Sequence, residues 1–144
     1  MDFNIIRFDR KQHEDQVVEL WKNVFGYKSA RNDPYLTIEK KEAVSDGLFF
    51  VAETEIHGVV GTVMCGYDGH RGWIYSLVVR PDFQNQGIGK GLMLHAEHTL
   101  KNLGCAKINL QILEGNEQVQ MFYHSLGYTT EKRINMGKEI PENI

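Results

Sequence analysis

Apolar side chains recur at three- and four-residue spacing from residue 13 onward. Val17, Leu20, Trp21, Val24 and Phe25 form one stripe and predict a helix over residues 13–25. Gly26 is a natural stop for it. Phe3 to Phe8 reads as a strand before that helix. Asn32-Asp33-Pro34 combines an N-cap with proline at the first helical position, so a second helix should run to about Ser45. Asp46-Gly47 is a turn. Leu48–Glu53 and Val59–Tyr67 read as a hairpin joined at His57-Gly58, and Trp73–Val79 as a further strand after the Asp68–Gly72 turn. Helical spacing returns at Ile88, Leu92, Ala96, Leu100 and Leu103, predicting a helix over 87–103 with Gly104 just past its end. A strand over 107–113, a helix over 117–126 and a last strand over about 128–138 complete the order β-α-α-β-β-β-α-β-α-β. No linker or repeat divides the chain, so residues 1–144 read as one domain. The end from about residue 139 reads as frayed.

Composition narrows the class. With 42% apolar and 24% charged residues, the 144-residue chain is an ordinary globular one. A formal net charge of −3 argues against a nucleic-acid-binding surface. No uncharged apolar stretch of about 18 residues offers a membrane span, and Met1-Asp2-Phe3-Asn4 lacks the basic start of a signal peptide. Cys65 and Cys105 show neither metal-ligand spacing nor a disulfide framework. His95 and His98 share a helix face without an acid or Cys partner, so no metal is expected. A reduced, cytoplasmic protein follows.

The chemistry concentrates between Ile74 and Leu94. A buried strand is followed by Arg80-Pro81-Asp82, and then by glycines that open a helix. Unpaired N–H groups and the positive end of the helix dipole make such a start a phosphate site. Gly87 and Gly89 keep side chains away from those amides. No acid occurs between Gly87 and Ala96, and the single charge is Lys90. A cation there is unfavourable unless an anion joins it. A P-loop needs Ser or Thr after Gly-Lys, and Gly91 stands there instead. A dinucleotide fingerprint needs a third glycine where Leu92 stands. The pattern present is Gln84-x-x-Gly87-x-Gly89.

That pattern resembles the pyrophosphate-binding motif of the GCN5-related N-acetyltransferases (GNAT). The later chain resembles the same family: a strand, Asn116, Tyr123 seven residues on, and Leu126-Gly127-Tyr128. The resemblance is specific from about Trp73 to Tyr128 and looks nearest to small bacterial acetyltransferases of unassigned substrate. It implies an α+β, three-layer fold with a mixed, mostly antiparallel sheet flanked by helices. It implies acetyl-CoA as co-substrate and direct attack of a primary amine on the acetyl carbonyl. The backbone of Leu77, Val78 and Val79 would meet the pantetheine arm and stabilise the oxyanion. Gln84, Asn85, Gln86, Gly87, Ile88, Gly89 and Lys90 would hold the pyrophosphate. Asn116 would contact the pantetheine, and Tyr123 would be the general acid that protonates the leaving thiolate. Some relatives that acetylate protein N-termini carry a Glu base five residues before the Asn. Here that position is Gln111, and no base is assigned.

Plainer readings stand beside these. Leu77, Val78 and Val79 are also core, Asn116 an N-cap, Tyr123 a core aromatic between Phe122 and Tyr128, and His70 a turn residue. For the acceptor, Arg31-Asn32-Asp33 and Tyr67–Arg71 are polar segments that the fold should bring to one rim. Asp33, Asp68, His70 and Arg71 would greet a small amine, an amino acid or a peptide N-terminus. Asp33 is equally an N-cap, and Asp68-Gly69 a turn. The alternative function is a non-catalytic acyl-CoA sensor. A partner-binding domain that has lost the cofactor is disfavoured by the intact glycine turn. A homodimer is left open.

Overall fold

The computed structural model describes residues 2–26 and 33–142, which belong to two compact units, Met1–Gln111 and Ile112–Ile144. The first unit holds β1 (Asn4–Arg7), α1 (Arg10–Phe25), α2 (Pro34–Val44), β2 (Phe49–Thr54), β3 (Gly58–Tyr67), β4 (Gly72–Val79), α3 (Ile88–Asn102) and β5 (Ile108–Leu110). The sheet runs in the order β1-β2-β3-β4-β5. The first four strands pair antiparallel with their chain neighbours. β5 returns parallel to β4 after the α3 crossover.

Local signals explain the helices. Asp9 caps α1 by accepting from Lys11 N at 3.1 Å, and Gly26 ends it at φ 62°. Asp33 caps α2 by accepting from Tyr35 N at 2.9 Å, with Pro34 at the first helical position. Val59 to Cys65 is buried without a break, as expected of a strand covered on both faces. Successive side chains of β3 show the two layers directly. A Cβ on Gly61 would lie 3.0 Å from Leu92 and 3.2 Å from Ile88 of α3. Thr62, its neighbour, points instead to Trp21 of α1. On the α1 side the core is Phe8, Val17, Val18, Trp21, Ile38, Phe49 and their neighbours, with Phe8 stacked on Phe49 at 4.1 Å.

The second unit contains α4 (Glu117–Ser125). Asn116 Oδ1 caps it by accepting from Val119 N at 3.3 Å. Tyr123 is buried, with edge-on contacts to Phe122 at 5.1 Å and Tyr128 at 5.8 Å.

Three expectations need correction. Leu103 does not share the buried face of α3: it lies past the helix end and is half exposed. The last strand, expected over 128–138, is absent among the described residues, and the strand expected over 107–113 shortens to 108–110. Ile134 and Met136 alternate along this segment, yet they are 91% and 89% exposed. An alternating segment becomes a strand when one face is buried, and here neither is. Among the described residues no helix is long and apolar enough to cross a membrane.

Candidate functional site

The site begins with an irregularity in β4. Thr62 faces Val78 and Met64 faces Tyr75, so Val63 alone stands opposite both Ser76 and Leu77. This is a β-bulge, which leaves one residue outside the ladder and bends the strand. Ser76 carries the strain, at φ 51°, a conformation rare outside glycine. A buried chain of hydrogen bonds fastens it: Trp21 Nε1 donates to Thr62 Oγ1 at 2.9 Å, and Thr62 Oγ1 donates to Ser76 O at 3.0 Å. The other edge of β4 is also released. β5 pairs with it only at Gly72, Trp73 and Ile74. Beyond that point lies a groove of about 620 Å³ lined by Trp73, Ile74, Tyr75, Ser76 and Gln111. None of these five side chains is a carboxylate or imidazole. Beneath Tyr75, the buried Lys41 ammonium lies 5.4 Å from its ring centre and donates to Cys65 O at 2.6 Å and Asp46 Oδ2 at 2.9 Å.

β4 leads straight into the phosphate-type turn. Arg80 N donates to Val60 O at 2.8 Å, and Pro81–Phe83 makes a single 3-10 turn. Asn85 and Gly87 then take left-handed backbone at φ 63° and 83°. α3 starts at Ile88 with no side-chain cap and no acid in its first turn. Gly91 N donates to Gly87 O at 2.9 Å, and the amides of Ile88, Gly89 and Lys90 precede the intrahelical ladder. Gln84, Asn85, Gln86, Gly87 and Lys90 are exposed, whereas the Ile88 side chain is core and can offer a ligand only its backbone. A Cβ on Gly87 would meet no protein atom within 4 Å. The open space, the uncapped amides and the lone lysine fit a diphosphate.

The other candidates separate into used and available groups. Asp33 is spent on capping α2. Asp68 Oδ1 accepts from Arg71 N at 2.7 Å and His70 N at 2.8 Å, and these bonds hold its carboxyl below the usual range. Both carboxylates therefore serve their own turns. Arg71 Nε is enclosed without a hydrogen-bond partner. Arg31 and Asn32 lie outside the described residues. Val78 is buried and Leu77 and Val79 are partly so. Asn116 Oδ1 is occupied by its cap bond. Burial pushes the Tyr123 phenol up to about 12. Cys65 is fully buried and its thiol is likewise pushed up to about 12 by burial. Among the described residues no three His, Cys, Asp or Glu side chains gather as metal ligands.

Sequence reasoning missed Trp21, Thr62, Ser76 and Lys41. The one available signal was Thr62 itself, a hydroxyl inside the apolar run Val59 to Cys65.

A three-layer fold in which a bulged β4 runs into a glycine turn defines an acyltransferase-type architecture, and the comparisons agree. Residues 14–128, most of the chain, match the acetyltransferase (GNAT) family. The chain belongs to that family and is an acetyltransferase. It is similar to a GNAT-family acetyltransferase from Staphylococcus aureus Mu50, at 25% identity over 98% of this chain and 93% of that one, with a TM-score of 0.77. It shares its fold with glucosamine-6-phosphate N-acetyltransferase from Arabidopsis thaliana, at 21% identity over 98% and 100% of the two chains, TM-score 0.72. It also shares it with a chain of the NatC complex bound to Gag peptide and CoA, at 21% identity over 93% and 89%, TM-score 0.78.

Proposed function

We propose that this chain moves an acetyl group from acetyl-CoA to a primary amine by direct attack, as one catalytic domain over residues 1–144. The observation that carries the reading is the continuity of β4, bulged at Ser76 and Leu77, with an uncapped, acid-free glycine turn at Gly87. The family match crosses the boundary between the two compact units, which supports a single domain. Gln84 to Lys90 hold the pyrophosphate through backbone amides and the Lys90 ammonium. Leu77, Val78 and Val79 meet the pantetheine with their backbone.

The amine nitrogen attacks the acetyl carbonyl carbon, and the carbon–sulfur bond breaks as the tetrahedral intermediate collapses. The thiolate takes its proton from Tyr123, and the nitrogen's proton passes to water. Tyr123 can take the acid role because a phenol, with an ordinary pKa near 10, is protonated at neutral pH; its burial raises that value and makes it a weaker donor. Asn116 spends its carbonyl oxygen on the helix cap and has its side-chain amide to offer the pantetheine. Direct attack is favoured over an acyl-enzyme by the state of Cys65, whose buried thiol is far from a thiolate.

The acceptor is a small amine, an amino acid or a peptide N-terminus, entering at the groove beside Tyr75 and Gln111. Arg71, with its unpartnered Nε, is the group to bind an acceptor carboxylate. Two free thiols are in keeping with a reduced, cytoplasmic enzyme. The test is thiol release from acetyl-CoA against a panel of amines, amino acids and short peptides. At least one class should give turnover that Gly87→Glu abolishes. Tight acetyl-CoA binding with no turnover against any class would overturn the reading in favour of a sensor.

A further inference from the structure

We propose that Trp21 and Thr62 are positioning residues that aim the backbone N–H of Leu77 at the acetyl carbonyl. The inference rests on the acetyl-transfer reading above. Thr62 is fully buried and its hydroxyl has one proton, which goes to Ser76 O at 3.0 Å. The same oxygen accepts from Trp21 Nε1 at 2.9 Å, so the donor direction along the chain is set. Ser76 C=O and Leu77 N–H belong to one planar peptide, and no described peptide is cis. In a trans peptide these two groups point in opposite directions. Because Ser76 O is held toward Thr62 on β3, the Leu77 N–H faces away from β3. That is the edge of β4 from which β5 has parted after Ile74. An N–H there can donate to the thioester carbonyl and to the oxyanion formed from it.

The relay does more than point. A hydrogen bond to a peptide carbonyl polarises that peptide and strengthens its N–H as a donor. A residue at positive φ persists only where its surroundings over-determine it. Trp21 supplies that constraint, since it is 1% exposed and stacked on Phe49 at 5.9 Å.

The experiment uses acetyl-CoA labelled with ¹³C at the carbonyl, bound to the full chain. Thr62→Val removes the hydroxyl at nearly constant shape. The bound carbonyl resonance should move upfield toward its position in free acetyl-CoA, and kcat with the best amine should fall roughly 10- to 100-fold, less than for outright loss of an oxyanion donor. KM for acetyl-CoA should stay within about threefold, because the pyrophosphate cradle is untouched. Thr62→Ser keeps the hydroxyl and should restore the wild-type resonance and most of the rate. Thr62→Val strands the Trp21 N–H, so Trp21→Phe with Thr62→Val removes both partners and should regain stability. A purely structural role would return rate and resonance with that stability; the positioning role leaves both impaired. A wild-type resonance in Thr62→Val overturns the inference. Absence of acetyl-CoA binding in the wild type would instead overturn the acetyl-transfer reading, and unchanged binding in Gly87→Glu the placement of the diphosphate on which it is built.

Discussion

Gly87 offers a perturbation whose effects on the protein and on its ligand separate cleanly. At φ 83° and ψ 4° it is left-handed, and a Cβ there meets no protein atom within 4 Å. Gly87→Ala therefore incurs only the backbone penalty of a side chain in that conformation, about 1–2 kcal/mol. For a chain of this size that lowers Tm by roughly 2–8 °C. Gly26→Ala is the control: it sits at φ 62° with equally open space, at the far end of α1. Ligand binding should tell the two apart. At 100 times its dissociation constant, acetyl-CoA adds about 2.7 kcal/mol to the native state, or roughly 5–11 °C. Gly26→Ala should keep that full increment. Gly87→Ala should weaken binding about tenfold, since the new methyl group occupies the space of the phosphates. At the same ligand concentration about 1.4 kcal/mol then remains, half the wild-type shift. Gly87→Glu adds a negative charge to the cradle and should show no shift. Differential scanning fluorimetry with CoA and acetyl-CoA measures all four proteins. An undiminished shift in Gly87→Glu would refute the placement of the diphosphate.

Tyr123→Phe should lower kcat roughly 10- to 1,000-fold with acetyl-CoA affinity held within a few-fold, and a wild-type kcat would make Tyr123 a core residue only. The same substitution has a signature in alkali. The folded phenol is raised from 10 to about 12, so its contribution is complete below pH 10 and is lost as pH rises through 12, about 2–3 kcal/mol in all. Between pH 8 and pH 11 urea unfolding of the wild type should lose about 1–1.5 kcal/mol more than that of Tyr123→Phe, the buried Cys65 thiol weakening both alike; equal losses would sink the assignment. Cys65 is fully buried with its thiol raised to about 12, whereas Cys105 is partly exposed. Native protein at pH 8 should take up one alkylating label, on Cys105, and a second only in guanidinium; equal labelling rates would contradict the burial of Cys65. Arg71→Glu should raise KM for a carboxylate-bearing acceptor about tenfold and spare acetyl-CoA binding, and indifference in that assay would remove Arg71 from the acceptor site.

Elements with strong local chemistry were legible in the sequence. Asp33-Pro34 started α2 and Gly26 stopped α1, because caps and left-handed stops are decided within a few residues. The Gln84-x-x-Gly87-x-Gly89 turn was legible for the same reason: its positive φ values and missing acids are local. Asp33 and Asp68 were legible as turn residues, and each accepts backbone hydrogen bonds within its own turn. Composition displays a carboxylate, but not the backbone amides that already occupy it. The missing last strand has the opposite cause. Ile134 and Met136 alternate correctly, but burial of one face is a tertiary fact that alternation alone does not guarantee.

The family resemblance implied that this strand bulges, but the place of the bulge in β4 was not legible in the residues themselves, because it is a property of two strands. Ile74 to Val79 reads as an unbroken run, and nothing in it announces that Ser76 turns to φ 51°. The cause lies 14 residues earlier at Thr62 and 55 earlier at Trp21, one on the neighbouring strand and one on the helix behind it. A hydroxyl in the apolar run of β3 costs stability unless it is satisfied, and its two partners satisfy it. Those partners are a core indole and a site carbonyl. The same two bonds that settle a buried polar group therefore set the direction of the Leu77 amide. Core stability and reactivity become coupled at one residue, and single substitutions at Trp21 or Thr62 will alter both together. The paired change removes the polar group and its donor at once, so it lowers the rate without leaving the indole N–H buried and unpaired.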